Sequence, residues 1–257
     1  MITVYAAMPG SGRNIPANPE PALHMTGKTG TRLSRTAPAR IRSMTSKVTC
    51  CLTKLCSLLL LPGLSQAQPL TPEQMLAWPQ RDFAGQTHYS LQQQGGGSRL
   101  QAVCQQAASA LYLEQAVDLN ATPVLRWSWS VERVFDNLDE TSKQGDDYPV
   151  RLYVVKDGGL LPWRTRAVNY VWSSQQPVDS AWPNAFTANA MMLALRSGNP
   201  QNPGQMIVEQ RNVQADFQRL HGIELESIDG IAIMTDCDNS GQPMRGWYGS
   251  LEWLPAP

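Results

Sequence analysis

Two aspartates, an asparagine, a serine and a glycine crowd into Asp236-Cys237-Asp238-Asn239-Ser240-Gly241. Asp236, Asp238 and Asn239 set out side-chain oxygens as the first half of a calcium loop does. Position twelve counted from Asp236 is Trp247, where such a loop needs a bidentate Glu. The stretch is therefore not an EF-hand, and Ca2+ would need further ligands from elsewhere in the fold. The same residues also make an ordinary turn in which Asp and Asn side chains accept backbone N–H groups. A second polar group is Asp146, Asp147 and Arg151. Asp147, Arg151 and Tyr153 alternate onto one face of a strand. Asp147 and Arg151 are too far apart along it to touch, so each must meet a neighbouring strand. Arg211, Asn212 and Asp216 form a third group at the start of an expected helix. If the fold gathers these acids and arginines, two chemistries compete. One is a polar ligand site, with two of Asp146, Asp147, Asp216, Asp236 and Asp238 as the paired carboxylates of glycoside hydrolysis; Asp147, Asp216 and Asp236 are the catalytic candidates. The other is a network of ion pairs that ties loops together.

Aromatic residues supply the third kind of chemistry, because their faces stack on sugar rings and on cations. Trp127 and Trp129 alternate with polar residues and read as core. Tyr153, Trp172 and Trp247 join Asp146, Asp147, Arg151, Arg211 and Asp216 as the expected ligand-binding set. Other chemistries lack their residues. No Gly-rich phosphate loop precedes a Lys, and no Cys-x-x-Cys follows residue 67. Only His88 and His221 lie beyond that point, so a site of several histidines is excluded and a Ser-His-Asp triad would need one of the two. His221 falls at the end of the expected helix, where a cation suits the dipole.

The elements that must position these residues are mostly strands. Apolar residues recur at period two in Phe83–Leu91, Arg99–Cys104, Val124–Val131, Tyr148–Lys156, Ala167–Ser173, a strand through Met191, Leu193 and Leu195, Met206–Arg211, Ile228–Met234 and Trp247–Trp253. In the third, Leu125, Trp127, Trp129 and Val131 share one face and Arg126, Ser128 and Ser130 the other, the mark of an antiparallel sheet with one dry face and one wet face. Gly95-Gly96-Gly97 and Asp157-Gly158-Gly159 read as turns. Val213, Phe217 and Leu220 follow a helical spacing, with Asn212 as cap and Gly222 as stop. About nine short strands and one short helix predict an all-β fold, a two-sheet antiparallel β-sandwich of the jelly-roll kind.

The blocks GDDYPVRLYVV (145–155), NYVWS (169–173), EQRNVQADFQRLHG (209–222), IDGIAIMTDCDNSG (228–241) and WYGSLEW (247–253) resemble, in order and spacing, the bacterial domain-of-unknown-function family numbered 3047. The resemblance runs from about Phe83 to Trp253. It implies a single secreted domain and no particular activity. The pattern is also similar to carbohydrate-binding jelly rolls, whose last strand often reads Tyr-Gly-Asp-Ile; Ser250 stands where that Asp would be.

Charge divides the chain. Residues 1–67 hold eight basic residues against one acidic (+7), and 68–257 hold 13 against 20 (−7). Residues 44–67 combine Lys47 and Lys54, an apolar run Leu55–Leu64 and small residues at Ser65 and Ala67, the three parts of a cleavable export signal. That run is about half the ~20 residues a membrane span requires, so no stable span is expected after cleavage. Residues 1–43, Arg- and Pro-rich without apolar periodicity, read as lying outside the native chain, with Met44 the start, or as disordered. Residues 68–257 form one domain, expected to be periplasmic or extracellular. Cys104 and Cys237 can pair there, if they approach within ~7 Å. A negative, Lys-poor domain excludes nucleic acid as a partner. Three functions remain open: binding of a carbohydrate or envelope glycan, with no cofactor beyond the Ca2+ already considered; a polysaccharide hydrolase or lyase; and a structural or partner-binding envelope protein.

Overall fold

The computed structural model describes residues 68–257; the readings of 1–43 and of the export signal at 44–67 lie outside these. The elements are α1 (Pro72–Leu76), β1 (Gln80–Ala84), β2 (His88–Gln94), β3 (Gly97–Cys104), β4 (Ala108–Asp118), β5 (Val124–Val131), β6 (Arg151–Lys156), β7 (Arg166–Ser173), β8 (Ala181–Pro183), β9 (Ala190–Ser197), β10 (Ile207–Asn212), α2 (Val213–His221), β11 (Ser227–Asp236) and β12 (Met244–Leu254). They build two stacked sheets, one of seven strands in the order β1-β4-β11-β6-β7-β9-β8 and one of five in the order β10-β5-β12-β3-β2. The expected sandwich is present. It departs from full antiparallel order at one place, where β9 runs parallel to β7.

The alternation in β5 explains the inter-sheet core. Leu125, Trp127, Trp129 and Val131 are buried in it, Trp127 edge-on to Trp129 with ring centres 5.3 Å apart and 5.2 Å from Tyr170 of β7 in the facing sheet. β6 and β7 contribute Leu152, Val154, Val168 and Tyr170 to the same core. Unlike the five-stranded sheet, the seven-stranded one is also buried on its second face, where Ala108, Ala110, Tyr153, Val155, Ala167, Ala232 and Met234 form a separate cluster. Gly246 of β12 lets the chain pass close to Pro149 and Val150: a Cβ there would lie 2.4 Å from the Pro149 carbonyl oxygen and 2.5 Å from Val150 Cγ1.

The helix foreseen at Val213 is present as read. Asn212 Oδ1 accepts the Ala215 N–H at 2.9 Å, and Gly222 closes the helix at φ 68°, a conformation that favours glycine. The other helix, α1, was not foreseen. Thr71 and Gln74 form a reciprocal capping box around Pro72 at its first position. Both helices send side chains into the inter-sheet core, Met75 from α1 and Val213 and Phe217 from α2. None of the described helices is long and apolar enough to cross a membrane. Cys104, at the end of β3, and Cys237, just past β11, form a disulfide with Cα atoms 6.1 Å apart. It staples one sheet to the other beside Phe135, Leu138 and Met244.

Candidate functional site

The acids and arginines that the sequence singles out separate into two groups. In the first, Arg151 opens β6 and is wholly buried. Its Nε donates to Asp236 Oδ1 at 3.2 Å, and its Nη2 donates to Asp236 Oδ2 and, at 2.8 Å, to the Asp146 carbonyl. Asp146 Oδ2 lies 3.5 Å from Nη1, and the Asp146 carboxylate also accepts twice from Asn184 Nδ2, at 3.0 and 3.1 Å. The guanidinium carbon sits 4.5 Å from the Tyr148 ring centre and 5.6 Å from that of Tyr153. Burial opposes the charge of Arg151. Asp236, Tyr153, Asp146 and Tyr148 outweigh it, and the pKa lies above the usual arginine value. Burial pushes the Asp146 carboxyl above the usual carboxylate range, against the pull of Arg151. Asp146, Asp147, Arg151, Tyr153 and Asp236 are all buried. Asp146 and Asp236 both serve one guanidinium instead of flanking an open cleft, which is not the geometry of paired-carboxylate hydrolysis. In this group the brace between loops is the arrangement found.

Arg211 and Asp216 belong to a second group, at α2. Arg211 reaches both Asp216 oxygens, at 2.9 and 2.5 Å, and Tyr170 donates to Asp216 Oδ2 at 2.8 Å. The hydrogen bonds to Asp216 hold the Arg211 pKa up. Trp172, expected in the ligand set, is core, and its Nε1 donates to the Gly198 carbonyl at 2.9 Å. His221 lies at the helix end as read, but burial pushes its pKa down; its Nε2 is 2.8 Å from the Ala167 carbonyl and donates to it. Burial thus disfavours the cation expected there, and the ring is fastened to β7.

The calcium reading meets a geometric test. Asp147, Asp236 and Asp238 each offer a carboxylate oxygen within 4.8 Å of the others. Asp147 Oδ1, however, accepts from the backbone and Nδ2 of Asn239 at 3.3 and 3.1 Å, and its Oδ2 accepts from the Ser240 N–H at 2.6 Å. Asp236 accepts from Arg151 and, at 3.2 Å, from the Tyr148 N–H. Asn239 uses its side chain as a donor. Calcium takes six to eight oxygen ligands, and here two of the three carboxylates are occupied by N–H donors. The residues do not fit the ion. They make a turn capped by Asp147 from another loop.

A groove lies elsewhere, on the outward face of the five-stranded sheet. It encloses about 580 Å³ between β10, β5, β12 and β3 and adjoins a second hollow of about 570 Å³ that shares Gln94, Arg99 and Met206 with it. Arg126 of β5 is registered opposite Glu252 of β12, and the two form an ion pair across the floor. Gly249, at the β12 bulge, brings the backbone close: a Cβ there would lie 2.0 Å from Ser128 Oγ. At the β3 side Arg99 lies over Trp247, 4.4 Å from the ring centre. It donates to Gln92 Oε1 at 3.2 and 2.9 Å and to the Gly204 carbonyl at 2.7 Å, while Trp247 Nε1 donates to the same Gln92 oxygen at 2.9 Å. Val208 stands exposed on the β10 side. The groove thus offers charges of both signs, amides and hydroxyls over an apolar wall. Of the expected ligand set, none lines the groove itself, and Trp247 lines the adjoining hollow.

Residues 76–252 match the family described as a protein of unknown function, DUF3047. The chain belongs to that family. None of the curated proteins matches this DUF3047 chain. Among solved structures it is similar to TmCBM61 in complex with β-1,4-galactotriose, at 11% identity over 69% of this chain and 89% of that one, TM-score 0.34. It is also similar to winged bean acidic lectin complexed with methyl-α-D-galactose, at 10% identity over 70% and 100%, TM-score 0.33. An exo-β-agarase is similar at 11% identity over 74% of this chain and 26% of its own, TM-score 0.35. The acid–arginine cluster and the lining residues Arg99, Arg126 and Glu252 all fall inside the DUF3047 match. The signal for the groove was present in the sequence, since Arg126 and Ser128 alternate onto the wet face of β5. Their convergence with Arg99 and Glu252 depends on strand order, which no local pattern carries.

Proposed function

We propose that this protein binds a carbohydrate, or another polyhydroxyl ligand, in the groove across the five-stranded sheet. The observation that carries the reading is the groove itself: its 580 Å³ is within the size range of ligand sites. Its chemistry matches a sugar, which needs donors and acceptors around its hydroxyls and an apolar surface for its C–H face. Arg99, Arg126, Ser128 and Glu252 supply the first, Met206 and Val208 the second. Glu252 is the one carboxylate among the described lining residues, and it is paired with Arg126. A two-carboxylate mechanism has no second acid there, so the reading is of a binding protein and not of a hydrolase. We place the protein outside the cytoplasm: residues 44–67 carry the export pattern, and a disulfide suits an oxidising compartment.

The test is thermal stability and calorimetric titration against a panel of neutral and acidic envelope oligosaccharides. A ligand at a hundred times its Kd stabilises by about 2.7 kcal/mol. The double variant Arg126→Ala/Glu252→Ala removes both partners, leaving no charge unpaired, and is expected to weaken binding about tenfold, the loss of one to two hydrogen bonds. A panel without any shift, or a double variant that binds as tightly as the parent, would overturn the reading.

A further inference from the structure

The hollow of about 570 Å³ beside the groove carries charge of one sign only. Arg99 is the one charged residue among its described lining residues, and Gln94, Gln205, Met206 and Trp247 add amides and an apolar wall. Groove and hollow together are lined by two arginines, Arg99 and Arg126, and by one acid, Glu252. Glu252 is taken by Arg126, so the remaining positive charge rests on Arg99. Among the described residues no carboxylate forms an ion pair with Arg99. Yet residues 68–257 hold 20 acidic against 13 basic residues. Acids are the commoner charge in this domain, and none meets Arg99.

The side chain is nevertheless fixed in place. By register, Gln92 of β2 stands opposite Arg99 of β3. Trp247 of β12 stands opposite Gln101, two residues along β3 and therefore on the same outward face. Gln92 Oε1 accepts from Arg99 Nε and Nη2 at 3.2 and 2.9 Å and from Trp247 Nε1 at 2.9 Å. Arg99 Nη1 donates to the Gly204 carbonyl at 2.7 Å, and the guanidinium lies over the Trp247 ring. One amide oxygen thus collects three N–H donors, a load that a carboxylate carries better. A Glu at 92 would have the same shape and would cancel the charge. The chain has Gln there, which holds the guanidinium and leaves its charge free. Burial, with no acid to offset it, lowers the Arg99 pKa from the usual arginine value, and an arginine still stays protonated in a protein. Of its five N–H groups, three are used by Gln92 and Gly204. One remains on each terminal nitrogen, enough for the two oxygens of a carboxylate. Leaving a half-buried charge unpaired is unfavourable, and a bound anion relieves it. Because the side chain is already held, binding costs little of its rotamer freedom.

We infer that the hollow is the subsite for an acidic sugar unit, a hexuronate whose carboxylate pairs with Arg99, and that Gln92 is the positioning residue that presents the guanidinium without neutralising it. The inference rests on the groove reading and narrows its ligand to an oligosaccharide that carries a carboxylate. The Gln94 and Gln205 amides stand beside Arg99 for the ring hydroxyls, and Met206, shared by the groove and the hollow, continues the apolar wall from one into the other.

The experiment is calorimetric titration of the full chain with trimers of galacturonate, mannuronate and guluronate, each beside its methyl ester, which keeps the sugar and removes the charge. In the parent at least one acid form is expected to bind about tenfold more tightly than its ester, the worth of one hydrogen-bonded charge. That preference is expected to shrink as salt rises from about 50 mM to about 500 mM, because screening shortens the reach of the charge. In Gln92→Glu the preference is expected to vanish while the ester binds as in the parent. The new carboxylate pairs with Arg99, so the melting temperature of this variant without ligand is expected to equal or exceed the parent's. Arg99→Met, which keeps an apolar stem over Trp247 and removes the charge, is expected to lose the preference as well. Equal binding of acid and ester in the parent, a preference that survives in both variants, or tighter binding of a sulfated galactan trimer than of every uronate would overturn the subsite and leave the groove reading standing. Failure of every neutral and acidic oligosaccharide to bind would overturn both.

Discussion

Glu140 is a buried carboxylate with no ion pair among the described residues. Its oxygens accept from the Ser173 hydroxyl, from the Ser174 N–H at 2.6 Å and from the Gln175 N–H at 3.5 Å, clasping the loop before β6 to the end of β7. Burial raises its pKa despite these donors. A folded-state pKa above the unfolded value favours the native state most at low pH. The contribution is full below the ordinary glutamate value of about 4.3 and is lost as pH rises through the raised native pKa. Glu140→Gln keeps an acceptor for Ser174 and abolishes the titration. Its stability relative to the parent is expected to improve between pH 4 and pH 8, as read by urea unfolding at each pH; a difference independent of pH would contradict the assignment. Glu140 drew no notice in the sequence because its partners stand more than 30 residues away. Asp146, Asp147 and Arg151 were legible as one polar group and Asp236 as part of a separate acidic turn. What could not be read was that they face one another.

At the level of strands and helices, legibility followed contrast between faces. β5 alternates apolar with polar and was read to the residue; α2 carries its cap and its stop in sequence. β4 was not read. Ala108, Ala110 and Tyr112 on one side and Leu111 and Leu113 on the other are apolar alike, and a strand buried on both faces loses its period-two signature. The stretch Phe83–Leu91, expected as one strand, breaks into β1 and β2 at Gly85, whose φ is 59°. Thr71-Pro72-Glu73-Gln74 carries the capping signal of α1, but a helix of five residues is too short to show an apolar period beside it. The β12 bulge was invisible in sequence, yet it shapes the groove floor through Gly249. Gly249→Ala would press a methyl onto Ser128 Oγ and stand 3.3 Å from Met206 Cε. We expect it to lower the stability by about 1–3 kcal/mol, as overpacking does, and to weaken oligosaccharide binding. Adding Ser128→Ala should recover most of the stability, and failure of that recovery in a thermal melt would place the clash elsewhere.

For the molecule as a whole, the largest single constraint is the bond between Cys104 and Cys237, 133 residues apart. Loop-closure entropy for a ring of that size corresponds to about 5 kcal/mol. The variant Cys104→Ala/Cys237→Ala, or the parent held in reductant, is expected to lose up to that amount in chemical denaturation, and a loss under about 1 kcal/mol would mean that the two-sheet core closes without it. If residues 44–67 are removed on export, the mature chain begins at Gln68, which N-terminal sequencing of protein from the cell envelope decides; a start upstream of Met44 would exclude that leader.

Ribosomal synthesis delivers the β3 thiol more than a hundred residues before its mate. Until β11 emerges, an oxidant can offer it only the wrong sulfur, and Cys50, Cys51 and Cys56 are the nearest wrong ones. If residues 44–67 are cut away ahead of oxidation, two thiols and a single possible intramolecular pairing remain. The timing of such a cut would then decide whether the staple has competitors.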